Sequence, residues 1–444
     1  MTKIDIALQS ANETRALEIG MNILNLVPVI FNEQFGEKKA IVVADTTTFK
    51  IAGMAVSDLL QQSKIEQDCP FIFKDANLYA EMKFEEQLEA ALQQTTAIPI
   101  AVGSGTINDL TKLAAHRTGR PYMCVATAAS MDGYTAFGAS ITYKGAKQTF
   151  DCPAPQAVVA DIEIIKDAPK GMTASGYADL FAKVTAGADW ILADELGEEA
   201  IDPTAWAIVQ DGLRTALANP ESAKNGSADA IAPLVEGLML GGFAMQWSKT
   251  SRPASGAEHQ FSHLWDMEHH TYNGSAPSHG FKVGVATLAV SLFYEQMLQT
   301  PFHQFDIEST CEQWPSLSDQ EEEIRRMFSN TDFLETALRE TRAKYISKEN
   351  LAKQLTILKT NWTQIKERLQ QQLLPAAEVK ERLGLVGAPN NPASIGITTQ
   401  RLRESFFRAQ HIRRRFTILD VAVRTRYMDR WLNQIIDNET LALS

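Results

Sequence analysis

Five of the eight histidines of this 444-residue chain fall between His259 and His279. His259 and His263 are four apart in a segment of helical pattern, so they share one face; His279 follows a loop and stands directly before Gly280. A neutral imidazole is the commonest ligand for zinc, nickel and iron, and such clustering in a histidine-poor chain points to a metal. Two histidines and one carboxylate leave coordination positions open, as a catalytic metal requires. Asp179, in GYADLFAKVTAGADW, can complete that set; the alternative is an exposed first-turn aspartate stabilised by the helix dipole. His269 and His270, in DMEHHTYNG, read as loop residues or as partners of the ligands.

A second chemistry lies upstream. AVGSGTINDL, residues 101–110, reads as a strand, a glycine turn and a helix. Gly103 and Gly105 let the backbone approach a phosphate, and the free N–H groups of the next helical turn favour negative charge. Taken alone the GxG is equally a tight turn, since the third glycine of GxGxxG is missing. Asp45 ends the strand AIVVAD, where a carboxylate can bind the ribose diol of a dinucleotide or cap the helix that DTTTF begins. VATAASMDGYTAFGAS, residues 125–140, has side chains small enough to leave room for a ligand, with Asp132 projecting an acceptor into it.

The elements that must position these residues divide the chain. KKAIVVAD, CPFIFKDA, IPIAVGSG and PYMCVATAAS are β-branched runs, and FKIAGMAVSDLLQQSK and KFEEQLEAALQQT show helical spacing between them. This is βαβ order and predicts a Rossmann-like parallel sheet over residues 1–168. Strand patterns end after DCPAPQAVVADIEIIKDAPKGM, so the boundary falls near Pro169 and residues 169–444 are expected to be all-α and to bind the metal. Arginines from Arg401 to Arg430 alternate with apolar residues at helical spacing, which predicts a salt-bridged face. The net charge of -12 and pI near 5.3 exclude a nucleic-acid or anionic-membrane surface as the main partner. Four cysteines without CxxC spacing predict no disulfide framework and a reducing compartment. The first residues lack a signal-peptide layout and no unbroken apolar run approaches a bilayer span, so a cytoplasmic protein is expected.

GSGTIND, TAASMDG, GYADLFAK, SRPASGAEHQFSH and PSHG, in this order over roughly residues 35–295, resemble the sn-glycerol-1-phosphate dehydrogenases. These belong with the iron-type alcohol dehydrogenases, glycerol dehydrogenase and dehydroquinate synthase. The resemblance implies a dehydroquinate synthase-like fold with the metal on Asp179, His259 and His279. It places His263 and Asp132 at the substrate, with Asp179 between metal and substrate. NAD(H) or NADP(H) would lie along Gly103, Gly105, Thr106, Ile107, Asn108 and Asp109 and along Thr127, Ala128, Ala129 and Ser130, with Asp45 near the ribose. Ala136 stands where a cofactor-contacting serine is expected, EHHTYNGSAPS carries a short insertion, and the tail beyond about residue 300 matches nothing.

On this reading a divalent metal, zinc, nickel or iron, polarises the ketone of dihydroxyacetone phosphate while the nicotinamide delivers hydride, and His263 relays the proton. Arg252 resembles the phosphonate-binding arginine of dehydroquinate synthases and is the expected phosphate ligand; Lys282 stands behind it, unless it is a solvent-facing helix residue. Asp45 favours NADH, because a carboxylate repels a 2′-phosphate. A homodimer is expected. Three alternatives stand beside this one: a polyol dehydrogenase, a cyclase, and a regulator without turnover. Gly138 and Ala182 weigh against the cyclase, being where cyclases carry lysines.

Overall fold

A computed structural model describes residues 3–11, 13–144 and 146–436. Strands β1 (Ala16–Gly20), β2 (Ala40–Asp45), β3 (Phe71–Phe73), β4 (Ile98–Gly103), β5 (Met123–Ala126) and β8 (Ala157–Asp161) form one sheet in the order β1-β8-β5-β4-β2-β3, and every pair is parallel. AIVVAD, IPIAVG, MCVA and AVVAD are almost uninterrupted apolar runs because helices cover both faces of such a sheet. Val42, Ile100, Val125 and Val159 pack with Phe31 and Val56 in its core. The expected strands are present; β1 and the antiparallel hairpin β6 (Ala139–Tyr143) and β7 (Ala146–Phe150) are additional.

The chain after β2 leads outward to β3, whereas the chain after β4 leads the other way to β5. Adjacent strands whose connections diverge leave a crevice at their carboxyl ends, the ligand position of open parallel sheets. The register pairs Val43 with Ala101, so Asp45 and Gly103, each two residues on, flank that crevice.

The chain forms two compact units. The first holds residues up to Leu180, Thr204–Ser251 and Leu385–Gly387; the second holds Phe181–Pro203, Arg252–Gly384 and the chain from Ala388. The boundary expected near Pro169 therefore falls inside the first unit, and close backbone approach is the reason. Gly176, in the helix Lys170–Phe181, lies so near the Ala129 carbonyl oxygen that a Cβ would come within 2.1 Å. Gly242, in the helix Ala228–Ser248, would place one 2.0 Å from Thr135 Oγ1. That 21-residue helix is long and apolar enough to cross a membrane by length and composition, contrary to the expectation from unbroken runs, which Pro233 and Glu236 interrupt. Of its most apolar window 67% is buried, and its Gln246 donates to Thr14 Oγ1 at 2.8 Å.

One buried cation organises the loop after β5. Lys112 lies on the helix Gly105–Arg117, and its Nζ donates to the carbonyls of Gly133 (2.9 Å), Ala136 (2.8 Å) and Gly138 (3.0 Å). An ammonium has three donors, and these carbonyls take all of them.

In the second unit the helix Ala257–Met267 packs on His279–Gln299 and on Thr399–Ala409. Phe293 and Phe406 rings meet at 4.8 Å, and Phe406 meets Phe261 at the same distance. The arginine-rich tail is ion-paired as expected: Arg401 and Arg408 reach Glu268, Arg403 reaches Asp429, and Arg424 reaches Glu198.

Arg252 departs from expectation. It is 1% exposed; Nη1 donates to the Phe416 carbonyl and Nη2 to the Asp189 carbonyl, both at 2.8 Å, and Nε lies 3.3 Å from Glu199. A guanidinium committed to main-chain acceptors on two segments is an internal tie, so the phosphate role is withdrawn. Lys282 is likewise not solvent-facing: it is 2% exposed and ion-paired with Asp266.

Both internal cations can be tested by denaturation. Lys112→Met should lower unfolding free energy by about 3–5 kcal/mol, the usual cost of removing one partner from a buried charged group. Arg252→Ala should cost about 2–4 kcal/mol, since it strands two buried carbonyls. A urea midpoint equal to that of the unsubstituted chain would overturn the internal role of either residue, and for Arg252 would restore the phosphate reading.

Candidate functional site

In the first unit, the residues read as a nucleotide cradle divide by burial. The helix Gly105–Arg117 starts at Ser104, whose hydroxyl makes no cap bond, so its first N–H groups face the crevice without that partner. A Cβ on Gly103 would lie 2.6 Å from Ile107 Cβ, and one on Gly105 would lie 2.8 Å from Met131 Sδ. Gly103 is thus demanded by packing as well as by any phosphate, whereas beside Gly105 it is the flexible end of Met131 that would have to move. Ile107, Asn108 and Asp109 turn inward. Asn108 accepts from the Tyr122 hydroxyl at 3.0 Å, and Asp109 accepts from the Ser140 N–H at 3.4 Å. Burial raises the Asp109 carboxyl above its ordinary range, offset in part by Lys112. These three side chains are thus engaged within the protein, and it is the backbone of Gly103–Thr106 that stands at the crevice.

Asp45 takes the capping role that the sequence left open. Its Oδ1 accepts from Thr47 N (2.7 Å) and Thr48 N (2.8 Å), and Thr48 Oγ1 accepts from the Asp45 N–H. The next loop is anchored from below. Thr127 N–H donates to the Gly103 carbonyl (3.1 Å), Tyr134 hydroxyl donates to the Ala128 carbonyl (2.8 Å), and Ser130 lies 3.4 Å from that hydroxyl. Ala129 lies beneath Gly176, and the Ala136 carbonyl is held by Lys112.

Asp132 and Asp179 are brought together, the Asp132 N–H donating to Asp179 Oδ2 at 3.1 Å. Asp179 is fully buried and sits in the last turn of the helix Lys170–Phe181, not the first. A buried aspartate in the last turn is not an exposed first-turn one, so that alternative fails.

In the second unit three of the five histidines converge. Ring centroids lie 5.3 Å apart for His259 and His279, 6.2 Å for His263 and His279, and 6.4 Å for His259 and His263. His259 Nδ1 is 2.8 Å from Glu258 Oε1, and Ser262 Oγ is 3.3 Å from His279 Nδ1. His279 opens its helix, where Ser278 caps the Phe281 N–H. Lys282 and His279 are three apart on that helix, which puts the Lys282–Asp266 ion pair on the same face.

His269 and His270 take no part in this cluster. His269 is exposed, while His270 is buried between the Ile395 carbonyl (2.6 Å) and Arg401 (2.7 Å). Tyr272, in the inserted loop, lies over Gly396, where a Cβ would come within 2.5 Å of its ring. Glu258, Ser262 and Lys112 were missed from sequence. Glu258 had a local sign, a carboxylate directly before a ligand-type histidine, whereas the partners of Lys112 lie more than twenty residues away.

The iron-containing alcohol dehydrogenase family matches residues 18–169. A glycerol-1-phosphate dehydrogenase [NAD(P)+] of Halalkalibacterium halodurans is 33% identical over 302 residues, covering 67% of this chain and 75% of that protein. One from Geobacillus stearothermophilus is 29% identical over 86% of each chain. The structure of glycerol dehydrogenase from Schizosaccharomyces pombe shares the fold at TM-score 0.57 and 17% identity, over 97% of this chain and 94% of that one. The chain belongs to the glycerol-1-phosphate dehydrogenase family, within the iron-type alcohol dehydrogenases.

Proposed function

We infer that this protein reduces dihydroxyacetone phosphate to sn-glycerol 1-phosphate, reversibly, with NADH or NADPH and one divalent metal. The observation that carries the reading is the convergence of His259, His263 and His279, two of them oriented through Nδ1 by neighbours, in a chain similar to enzymes named for this activity. His259 and His279, with Asp179, are the proposed ligands. Asp179 supports this by being a fully buried carboxylate, a placement that a cation would offset. Zinc is the first choice; nickel and iron suit the same donors.

When bound, the metal supplies Lewis acidity toward the ketone oxygen. The chain's own residues do the rest. The backbone of Gly103–Thr106 and the loop Thr127–Ser130 would hold the dinucleotide at the crevice, whose edge Asp45 flanks while capping its helix. When bound, the nicotinamide would supply hydride to C2 and leave the electron pair of the C=O on oxygen; His263 is placed to deliver the proton that oxygen needs. Asp132, tied to Asp179 through its N–H, orients the substrate hydroxyl. With Arg252 committed elsewhere, Lys282 is the cation for the phosphate.

His259→Ala and Asp179→Ala should each lose bound metal and lower kcat by about a thousandfold or more, the worth of several kcal/mol of transition-state charge stabilisation, while nucleotide titration is unchanged. Full metal content with ordinary turnover in either variant would remove it from the ligand set. Lys282→Met should lower kcat/KM for dihydroxyacetone phosphate by about 2–5 kcal/mol and leave unphosphorylated dihydroxyacetone nearly unaffected. Equal losses on both substrates, or no preference for the phosphorylated ketone in the unsubstituted enzyme, would make a polyol dehydrogenase the better reading.

A further inference from the structure

Glu258 has no part in the reaction as described, yet few side chains are held more firmly. It is fully buried in the first turn of the helix Ala257–Met267, where the dipole favours a carboxylate. Its Oε2 accepts from Thr185 Oγ1 at 2.8 Å, and its Oε1 accepts from the Gly256 N–H at 2.6 Å. A second buried carboxylate, Asp189, accepts from the Ala257 N–H at 2.7 Å and fixes where the helix starts. Gly256 must be glycine here, because a Cβ would lie 2.5 Å from Asp189 Oδ2 and 2.9 Å from Glu258 Oε2. The remaining bond of Oε1 is to His259 Nδ1, at 2.8 Å.

We propose that Glu258 is a positioning residue that fixes His259 as the Nδ1–H tautomer and thereby makes Nε2 its metal-binding nitrogen. Oε1 already acts as an acceptor toward Gly256 N–H, so the proton of the Glu258–His259 bond belongs to Nδ1. A carboxylate behind a ligand histidine orients the ring and raises the basicity of the opposite nitrogen. Ser262 holds the Nδ1 side of His279 in the corresponding way, so both rings present the same edge. The inference rests on His259 being a ligand, as proposed above.

Two measurements test it on the full-length chain. The first is a long-range 1H–15N correlation of metal-free protein labelled at histidine, which requires no substitution and should show His259 protonated at Nδ1. Protonation at Nε2 would overturn the proposal. The second is zinc competition against a chromophoric chelator, with Glu258→Gln beside His259→Ala and with circular dichroism and nucleotide binding as checks on folding. Glu258→Gln keeps the shape of the side chain and should bind zinc about ten- to hundredfold more weakly, with altered visible bands when cobalt is loaded instead. If His259→Ala loses zinc while Glu258→Gln binds it as tightly as the unsubstituted chain, the positioning role falls and the ligand set stands. If His259→Ala still binds zinc normally, the ligand set falls and this inference with it.

Discussion

The carboxylate of Asp189 is the tie on which the helical unit depends. It receives the Tyr294 hydroxyl (2.6 Å) and the Ile418 N–H (2.8 Å) on one oxygen and the Ala257 N–H on the other. Four segments remote in sequence thus share one buried charge. Burial drives its pKa up, with the nearby Glu258 charge adding to the effect, and the three donors oppose that rise. A carboxylate out of water is tolerable only while such donors stay in place. The start of the histidine-bearing helix is therefore set by electrostatics rather than by its own propensity, and the direction of His259 follows from it.

The sheet unit solves the inverse problem. There the buried group is the Lys112 cation, 3.7 Å from Asp109, and the carbonyls it gathers belong to the loop that carries Asp132. In both units a single buried charge gathers backbone that regular secondary structure cannot satisfy. Regular elements set the frame, and these charges set the loops between them.

Features that repeat at short range were legible in the sequence. The β-branched runs of β2, β4 and β5 gave a parallel sheet, and the spacing of His259, His263 and His279 gave a cluster. Features defined by a distant partner were not. Arg252 read as a phosphate ligand because its type suits one, but its acceptors, Asp189 and Phe416, lie 63 and 164 residues away. Asn108 and Asp109 belong to the nucleotide stretch that the family resemblance implies, while the helical period turns their side chains toward Tyr122 and the hairpin. Asp45 was ambiguous for a physical reason: a carboxylate at a strand end meets the next helix before it meets any ligand. The domain boundary was misplaced because Gly176 and Gly242 draw helices onto the sheet unit by close approach, which hydrophobic patterning does not record.

The side chains that open the loop between His270 and His279 are braced from downstream: His270 by Ile395 and Arg401, and Tyr272 by Gly396. During synthesis, the histidines and Asp179 emerge well over a hundred residues before those braces do. Between the addition of His279 and that of Arg401, the growing chain holds every proposed ligand without the contacts that steady the loop leading to His279. Assembly of the centre is in this sense a late event, completed only after the residues near 400 have left the ribosome.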